Sequence, residues 1–542
     1  MRQFSGMIRS KPDWWKKVND PGIVAKWREE MVEQDRAAVD KFWGGELRFD
    51  HGHGTKKWPR DPLTDAQLDY IFEELKYEAG QRDEDTGIFA TSIPMAYESR
   101  DSIPADLKFS LISGVSVLES VPDDQKDWHP RSNKQVLDLV HPSLYCLCIG
   151  RSCVRTDATN SVHVISNEEY LARRPDLEKL KYWKSIISPL YQWLPTDFEV
   201  SDSGHVQPLG YINNLHPTQH RALYSAISSI LSRFVPLFDK VLSAVLSPDP
   251  PYAVKVDPYE WYNHIEEPES FPDVHEDKYY DASDEWQSKY KWPLIPDPAP
   301  YSPPSTVERI DLTIRGRTVQ VIVKLANIVL TPENPRYPGG AWHVEGMANE
   351  KIVATGLYYY ACENITQSRL DFRTAVGDGE DSTIELAYEQ NDEQGYYAAY
   401  GFANGDALNQ VLGHIVAEEG KCVAFPNVYQ HHVDAFELAD PTKPGHRKIL
   451  CFFLVDPFTR ILSTSDVPPQ QEDWTMKEML RAPALLDLPV ELFELVADYA
   501  KTGTMSRAEA EEHREKLMAE RANFVIEQNE QVFEMEFNMC EH

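Results

Sequence analysis

His343 and Glu345, in the stretch GGAWHVEGMANE, have the residue types and the spacing to hold a metal ion. Positions two apart on an extended segment project to the same side, so one imidazole nitrogen and one carboxylate oxygen can meet a single cation. The spacing alone says little. With 17 His and 87 acidic residues in 542 positions, His-x-acid should arise by chance about three times. It arises five times, at His264, His275, His343, His432 and His513. His264 and His275 lie in a proline-rich stretch, and His513 lies in a helix-patterned one, where positions two apart diverge. His343 stands between β-patterned runs. A second histidine, His431, follows 88 residues later in KCVAFPNVYQHHVDAFEL, and Arg447 opens the next apolar run, KILCFFLVDP.

This order suits an Fe(II) centre that uses 2-oxoglutarate and O₂. Two imidazoles and one carboxylate on one face of the metal leave the opposite face open for a bidentate keto acid and O₂. A guanidinium farther along can fork onto the distant carboxylate of the keto acid. The expected metal-binding and catalytic residues are therefore His343, Glu345 and His431, with Arg447 as the cosubstrate anchor. Strand parity selects His431 over His432: Val423, Phe425, His431, Val433 and Ala435 share a mainly apolar side, whereas Gln430, His432 and Asp434 share a polar one.

The elements that must position these residues read as β-structure. TVQVIVKLANIVL, KIVATGLYYYAC, STIELAYE, KCVAFPNVYQHHVDAFEL and KILCFFLVDP are β-branched and aromatic runs separated by turn residues. Together they predict an antiparallel sheet or barrel over 306–460. Residues 1–247 carry helical patterns such as DAQLDYIFEELKYEA and predict a mainly helical N-terminal region. Residues 248–305 hold 12 of the 38 prolines with many acidic and aromatic residues, which predicts an irregular strap packed on the fold. Residues 461–542 return to helical patterning, with Ser506-x-x-Glu509 as a capping box that opens a helix whose polar face predicts a surface position. The fold class expected is α+β.

Composition narrows the partners. A formal charge of -33 disfavours nucleic acid and anionic membranes, whose phosphates need clustered Lys and Arg. Seven cysteines without a C-x-x-C pair suit a reducing compartment. The N-terminus lacks the apolar segment of a signal peptide, and no apolar run approaches the ~18 residues of a membrane span. An intracellular, cytoplasmic location is expected. His51-Gly-His53 reads as a loop, and Tyr211 and Asn213 in YINNLHP could line a substrate pocket or cap the helix that follows. The motifs G-x-S-x-G, H-E-x-x-H and G-x-x-x-x-G-K-[ST] do not occur.

RYPGGAWHVEG followed by TGLYYYA resembles the layout of the double-stranded β-helix (jelly-roll) oxygenases, and of their prolyl-hydroxylase branch in local detail. That resemblance implies a role for Tyr359 beside 2-oxoglutarate. Over nearly its whole length, including KDWHP, YINNLHP and the terminal CEH, the chain also resembles a large fungal family known as a domain of unknown function. That family's W-H-x-E-G and Q-H-x-V patterns fall on His343, Glu345 and His431. Two features depart from the commoner oxygenase pattern: the acid is Glu rather than Asp, and ADPTKPG lengthens the step from His431 to Arg447. The resulting expectation is an Fe(II)/2-oxoglutarate dioxygenase that hydroxylates a small molecule or a protein side chain. A cupin-like metalloenzyme without a keto acid, or a non-catalytic scaffold keeping the fold, are the rival readings.

Overall fold

The computed structural model describes residues 1–44, 63–156, 161–174, 187–248, 253–254, 257–266, 278–291, 293–377, 386–390 and 392–539. His51, His53, His275 and residues 382–385 of STIELAYE lie outside them, and residues 386–389 of that run are not strand. The strands that position the site are, in chain order, β1 (Tyr97–Ser99), β2 (Val136–Val140), β3 (Thr196–Val200), β4 (Arg317–Leu330), β5 (Arg336–Tyr337), β6 (Ile352–Glu363), β7 (Ser368–Ala375), β8 (Asn409–Ala417), β9 (Cys422–Pro426), β10 (Gln430–Val433), β11 (Phe436–Glu437) and β12 (Gly445–Val455).

The large sheet runs β1-β9-β6-β12-β4-β3, with β2 also paired to β4. A smaller sheet runs β8-β7-β10, and β5 pairs with β11. All these pairings are antiparallel. The period-two pattern of the sequence explains the layers. One set of side chains on the large sheet, including Ile322, Leu357, Val423, Phe425 and Phe453, meets Leu370, Phe372 and Leu412 of the small sheet in a shared core. The alternate set, including Val321, Val323, Tyr358, Phe452 and Leu454, packs against helical residues.

Four helices matter here: α1 (Ala105–Glu119), α2 (Arg221–Leu246), α3 (Tyr279–Tyr290) and α4 (Arg507–Gln528). The apolar face of α2, through Ile227, Phe234 and Phe238, covers the outer face of the large sheet. It presses so closely on β6 that a Cβ at Gly356 would stand 2.7 Å from Phe234 Cδ1 and 3.0 Å from Phe238 Cζ. Only glycine accepts that approach without repacking. Among the described residues no helix is long and apolar enough to cross a membrane.

Three expectations need revision. The region 1–247 is not simply helical, since it supplies β1, β2 and β3 to the large sheet. These strands are three to five residues long, too short to leave a legible alternation, and they cover edges of β9 and β4 that would otherwise stay unpaired. The segment 248–305 is not irregular throughout, because α3 forms within it. Trp261 is buried and the Tyr262 hydroxyl donates to Asp392 Oδ2 at 2.6 Å, yet Tyr280 remains 78% exposed. Finally, α4 is not a purely surface helix: Ser506 Oγ caps it through Glu509 N–H, while Ala510, Leu517 and Phe524 are buried.

Candidate metal centre

After β5, Gly339 takes a φ of +100°, a left-handed conformation open to glycine, and the chain then runs alongside β10. Gly340 N–H donates to Val433 O at 2.9 Å, His343 N–H to His431 O at 3.1 Å, and His431 N–H back to His343 O at 2.9 Å. This bridge sets the two imidazoles side by side, with ring centroids 4.6 Å apart and ring planes tilted by 48°. His343 Nδ1 lies 2.8 Å from Ala341 O. A carbonyl can only accept, so Nδ1 carries the proton and Nε2 keeps a free lone pair. That Nε2 lies 3.8 Å from Glu345 Oε1, and His431 Nε2 lies 3.3 Å from the same oxygen.

Ligands at ~2.1 Å on adjacent corners of a metal polyhedron stand about 3.0 Å apart. The observed separations exceed this by only a few tenths of an ångström in the closer pair. One donor atom from each of the three residues falls within 4.8 Å of the others. Asn427 holds the carboxylate's backbone in place: its Oδ1 accepts from Glu345 N–H at 2.8 Å, and its Nδ2 donates to Glu345 O at 2.8 Å and Ile352 O at 3.1 Å. Phe425 backs the His431 ring at 5.0 Å.

The electrostatics follow from burial and mutual contact. Burial alone would raise the Glu345 carboxyl, but contact with the two imidazoles outweighs it and holds the group well below its usual range. Burial lowers His343 as well, yet Glu345 overcomes it and the net shift is upward, while His431 stays lowered by burial. His432 faces the other way, with Nε2 3.4 Å from Asp371 Oδ2 and its ring 4.1 Å from Trp342. The strand thus separates the adjacent histidines between the interior and the outer face.

Arg447 is 3% exposed and points into the same interior. Its Nη1 donates to Ser368 Oγ at 2.8 Å, and its guanidinium lies 5.6 Å from the Tyr359 ring and 5.7 Å from that of Phe436. Its Nε has no hydrogen-bond partner, and among the described residues no carboxylate lies within ion-pair distance. The long loop before β12 leaves Arg447 buried on the inward side, although the ladder with β6 shifts register between Tyr359 and Ala361. Asn364 Nδ2 donates to the carbonyls of Asp440, Lys443 and Pro444, and Asn364 Oδ1 accepts from Asp440 N–H. Arg447 consequently pairs with Cys362 of β6 and Ile328 of β4. Tyr359 is buried, and that burial pushes its phenol up to about 12.

The structure does not bring Tyr211 and Asn213 to this interior. The Tyr211 hydroxyl donates to Pro468 O at 3.2 Å. Asn213 donates to Leu144 O and Tyr145 O and accepts from Gln471. Their polar groups tie loops together, which explains a YINNL stretch that neither lines the site nor caps α2, whose N-cap residue is His220.

Sequence reasoning missed Asn427, Ser368 and Lys324, as well as a second cluster of His129, Asp138 and His141. The histidines of this cluster are committed differently from those of the first. His129 Nδ1 lies 2.8 Å from Asp138 Oδ2, and His141 Nδ1 accepts from Ser143 N–H at 3.2 Å, which puts the His141 proton on Nε2. In this set one histidine is bonded to the carboxylate and the other accepts from the backbone, so that only His129 Nε2 keeps a free lone pair. Burial raises the Asp138 carboxyl, but the two histidines outweigh it and hold it at about 2. Burial drives His141 down to about 3.

A pH effect on stability follows from His141. Its folded value lies below the ordinary 6.5, so the unfolded chain takes up the proton first, and the stabilisation present above 6.5 is lost as pH falls toward 3. Between pH 7 and 5 that loss amounts to about 2 kcal/mol. Chemical denaturation should show His141→Gln losing less stability over this interval than the parent, by about that amount. Equal pH slopes would contradict a buried neutral imidazole.

Comparison with curated proteins returns no match. Among solved structures, the chain is similar to IDO from Bacillus thuringiensis at 9% identity and a TM-score of 0.16, over 26% of this chain and 46% of that one, so it spans less than half of that protein's length. It is similar to the Fe(II)/(alpha)ketoglutarate-dependent dioxygenase TqaL at 10% identity and a TM-score of 0.22, over 66% of this chain and 92% of that one. It is also similar to a rice dioxygenase for auxin oxidation at 10% identity and a TM-score of 0.25, over 71% and 79% of the two chains. At these values the likenesses are too slight to transfer any residue's role. Residues 1–30 match the N-terminal domain of unknown function DUF4246, and residues 65–478 match the model described as protein of unknown function DUF4246, so the chain belongs to the DUF4246 family.

Proposed function

We propose that this protein is an Fe(II)- and 2-oxoglutarate-dependent oxygenase built on a double-stranded β-helix. The distribution of β4, β6, β9 and β12 to one antiparallel sheet and of β7, β8 and β10 to a second packed against it supports the architectural part. His343, Glu345 and His431 would hold the metal through two Nε2 atoms and a carboxylate oxygen, a set suited to iron with open positions. Glutamate differs from aspartate by one methylene and offers the same hard oxygen donor. When bound, iron with 2-oxoglutarate and O₂ supplies the oxidising chemistry that attacks a substrate C–H bond.

The observation that carries the reading is Arg447. A buried guanidinium lacking a carboxylate partner is costly, and this one has a free Nε and sits on Ser368 in the interior that holds the triad. A dicarboxylate with one end on the metal would supply the missing anion at the other. Ser368 fixes the direction of the guanidinium, and the Tyr359 ring closes one side of it. Phe372 and Phe425 beside His431 keep that part of the interior apolar and dry. A cupin-like enzyme without a keto acid would have no use for an unpaired arginine at this place.

Purified protein supplied with Fe(II), ascorbate and O₂ should convert 2-oxoglutarate slowly to succinate and CO₂ without added substrate, because the residues that would hold iron and the keto acid are assembled without one. Stoichiometric CO₂ release measured with carboxyl-labelled keto acid checks it. Turnover equal to that of free iron would remove the proposal.

A further inference from the structure

Lys324 is a polar residue of this interior to which neither the triad nor Arg447 gives a role. On β4 it pairs with Cys451 of β12, which pairs in turn with Leu357 of β6. It shares the parity of Ile322, a member of the core between the sheets. Positions of that parity along β12 run Arg447, Ile449, Cys451 and Phe453, so Lys324 lies level with a point two such steps from Arg447. The neighbourhood agrees with this placement. After its own burial, the charges that Cys451 feels are those of Lys324, Glu345 and Arg447, and Tyr337 feels both Arg447 and Lys324. Lys324 therefore belongs to the face of β4 that looks into the interior shared by the triad and Arg447.

Among the described residues the Lys324 side chain forms no hydrogen bond or ion pair, although the negative charges of Asp138 and Glu345 act on it against the effect of its burial. Asp138 of β2 pairs with Ala326, the next position of the same parity. It is 4% exposed, its Oδ2 is taken by His129, and its Oδ1 has no hydrogen-bond partner. This arrangement favours a charged ammonium while leaving its three N–H donors unused. The His129–Asp138–His141 cluster thereby finds a purpose as a fixed negative charge behind Lys324.

We propose that Lys324 binds a carboxylate beside the metal triad. Resting on the reading of the site as a 2-oxoglutarate centre, that carboxylate belongs to the metal-proximal end of the keto acid, with Arg447 holding the far end. Two cations then share the two ends of one ligand, and they differ in what they recognise. Arg447 requires a second carboxylate. Lys324 requires the 2-oxo acid head.

The test uses Mn(II)-loaded full-length protein, with binding followed through the loss of water-proton relaxation as ligand displaces metal-bound water. The probes are 2-oxoglutarate and 2-oxobutyrate, which has the same head but no far carboxylate. Lys324→Met should weaken both probes about tenfold, as loss of one charge-assisted bond predicts, while Arg447→Met weakens 2-oxoglutarate alone. Unchanged Mn(II) content and an undiminished unfolding midpoint show that the Lys324→Met chain is intact. If that variant binds both keto acids normally but loses acetate binding to the protein already holding Mn(II) and 2-oxoglutarate, the carboxylate site stands and its assignment to the keto acid falls. If neither the keto acids nor acetate distinguish the variant from the parent, the proposal is overturned. Parent protein that takes up Mn(II) and binds no keto acid contradicts the oxygenase reading instead, and acetate binding with and without Lys324 still decides this one.

Discussion

Replacing Glu345 by alanine is expected to lower Fe(II) or Mn(II) affinity more than about 100-fold, beyond the loss that outer-shell partners usually cause. The reason is geometric. The carboxylate oxygen lies 3.3 Å from His431 Nε2 and 3.8 Å from His343 Nε2, so its removal takes away the negative charge and the donor nearest both imidazoles. Two imidazoles left alone would bind weakly and would lack the anion that selects a divalent cation. His432→Ala provides the control, because its imidazole faces Asp371 on the outer side and metal affinity should stay within about threefold of the parent. Equilibrium dialysis with metal analysis reads both variants, and succinate formation should follow metal content. Equal losses in the two variants would mean that the inward parity of His431 has no functional weight.

Replacing Arg447 by methionine is expected to weaken 2-oxoglutarate binding by about 3 kcal/mol, a factor of about 100, as the loss of two charge-assisted hydrogen bonds implies. Metal content should be unaffected, since the guanidinium contacts Ser368, Tyr359 and Phe436 rather than the ligands. The same variant should leave the ligand-free protein as stable as the parent or more so, because it removes a buried charge that lacks a carboxylate partner. Isothermal titration with Mn(II)-loaded protein and a denaturation curve of the metal-free protein measure the two effects. A merely structural arginine would give the opposite pattern, with lost stability and unchanged keto-acid affinity.

Part of this site was legible in the chain and part was not, for physical reasons. The pairing of His343 with His431 could be read because strands flank both and parity separates His431 from His432. The inward direction of Arg447 was not legible, because it depends on Asn364 pinning the ADPTKPG loop from another strand end. Lys324 left a signal in TVQVIVKLANIVL, a single cation of the same parity as Ile322, but an isolated lysine in a strand more often marks a solvent-facing side. Asp138 could not have been placed from sequence, since its position depends on β2 pairing with β4 across nearly two hundred residues. Asn427 acts through backbone contacts that any asparagine in a turn could make.

Tyr211 and Asn213 show the converse. Polar residues before a helix invite a functional reading, yet their hydrogen bonds are spent on the carbonyls of Pro468, Leu144 and Tyr145. A polar residue whose capacity is fully used in joining loops has little left for a ligand. Arg447 and Lys324 differ in that respect, each retaining unused donors in the interior, and that contrast separates the two kinds of residue better than sequence position does.

The claim on which the rest depends is that His343, Glu345 and His431 share one metal ion. Anomalous diffraction at the manganese edge, from crystals grown with Mn(II) and without oxygen, locates the ion directly. The account predicts one strong peak per chain, about 2.0–2.2 Å from an Nε2 of each histidine and from a Glu345 oxygen. A peak at His129, Asp138 and His141, beside His432, or nowhere in the ordered protein would contradict it.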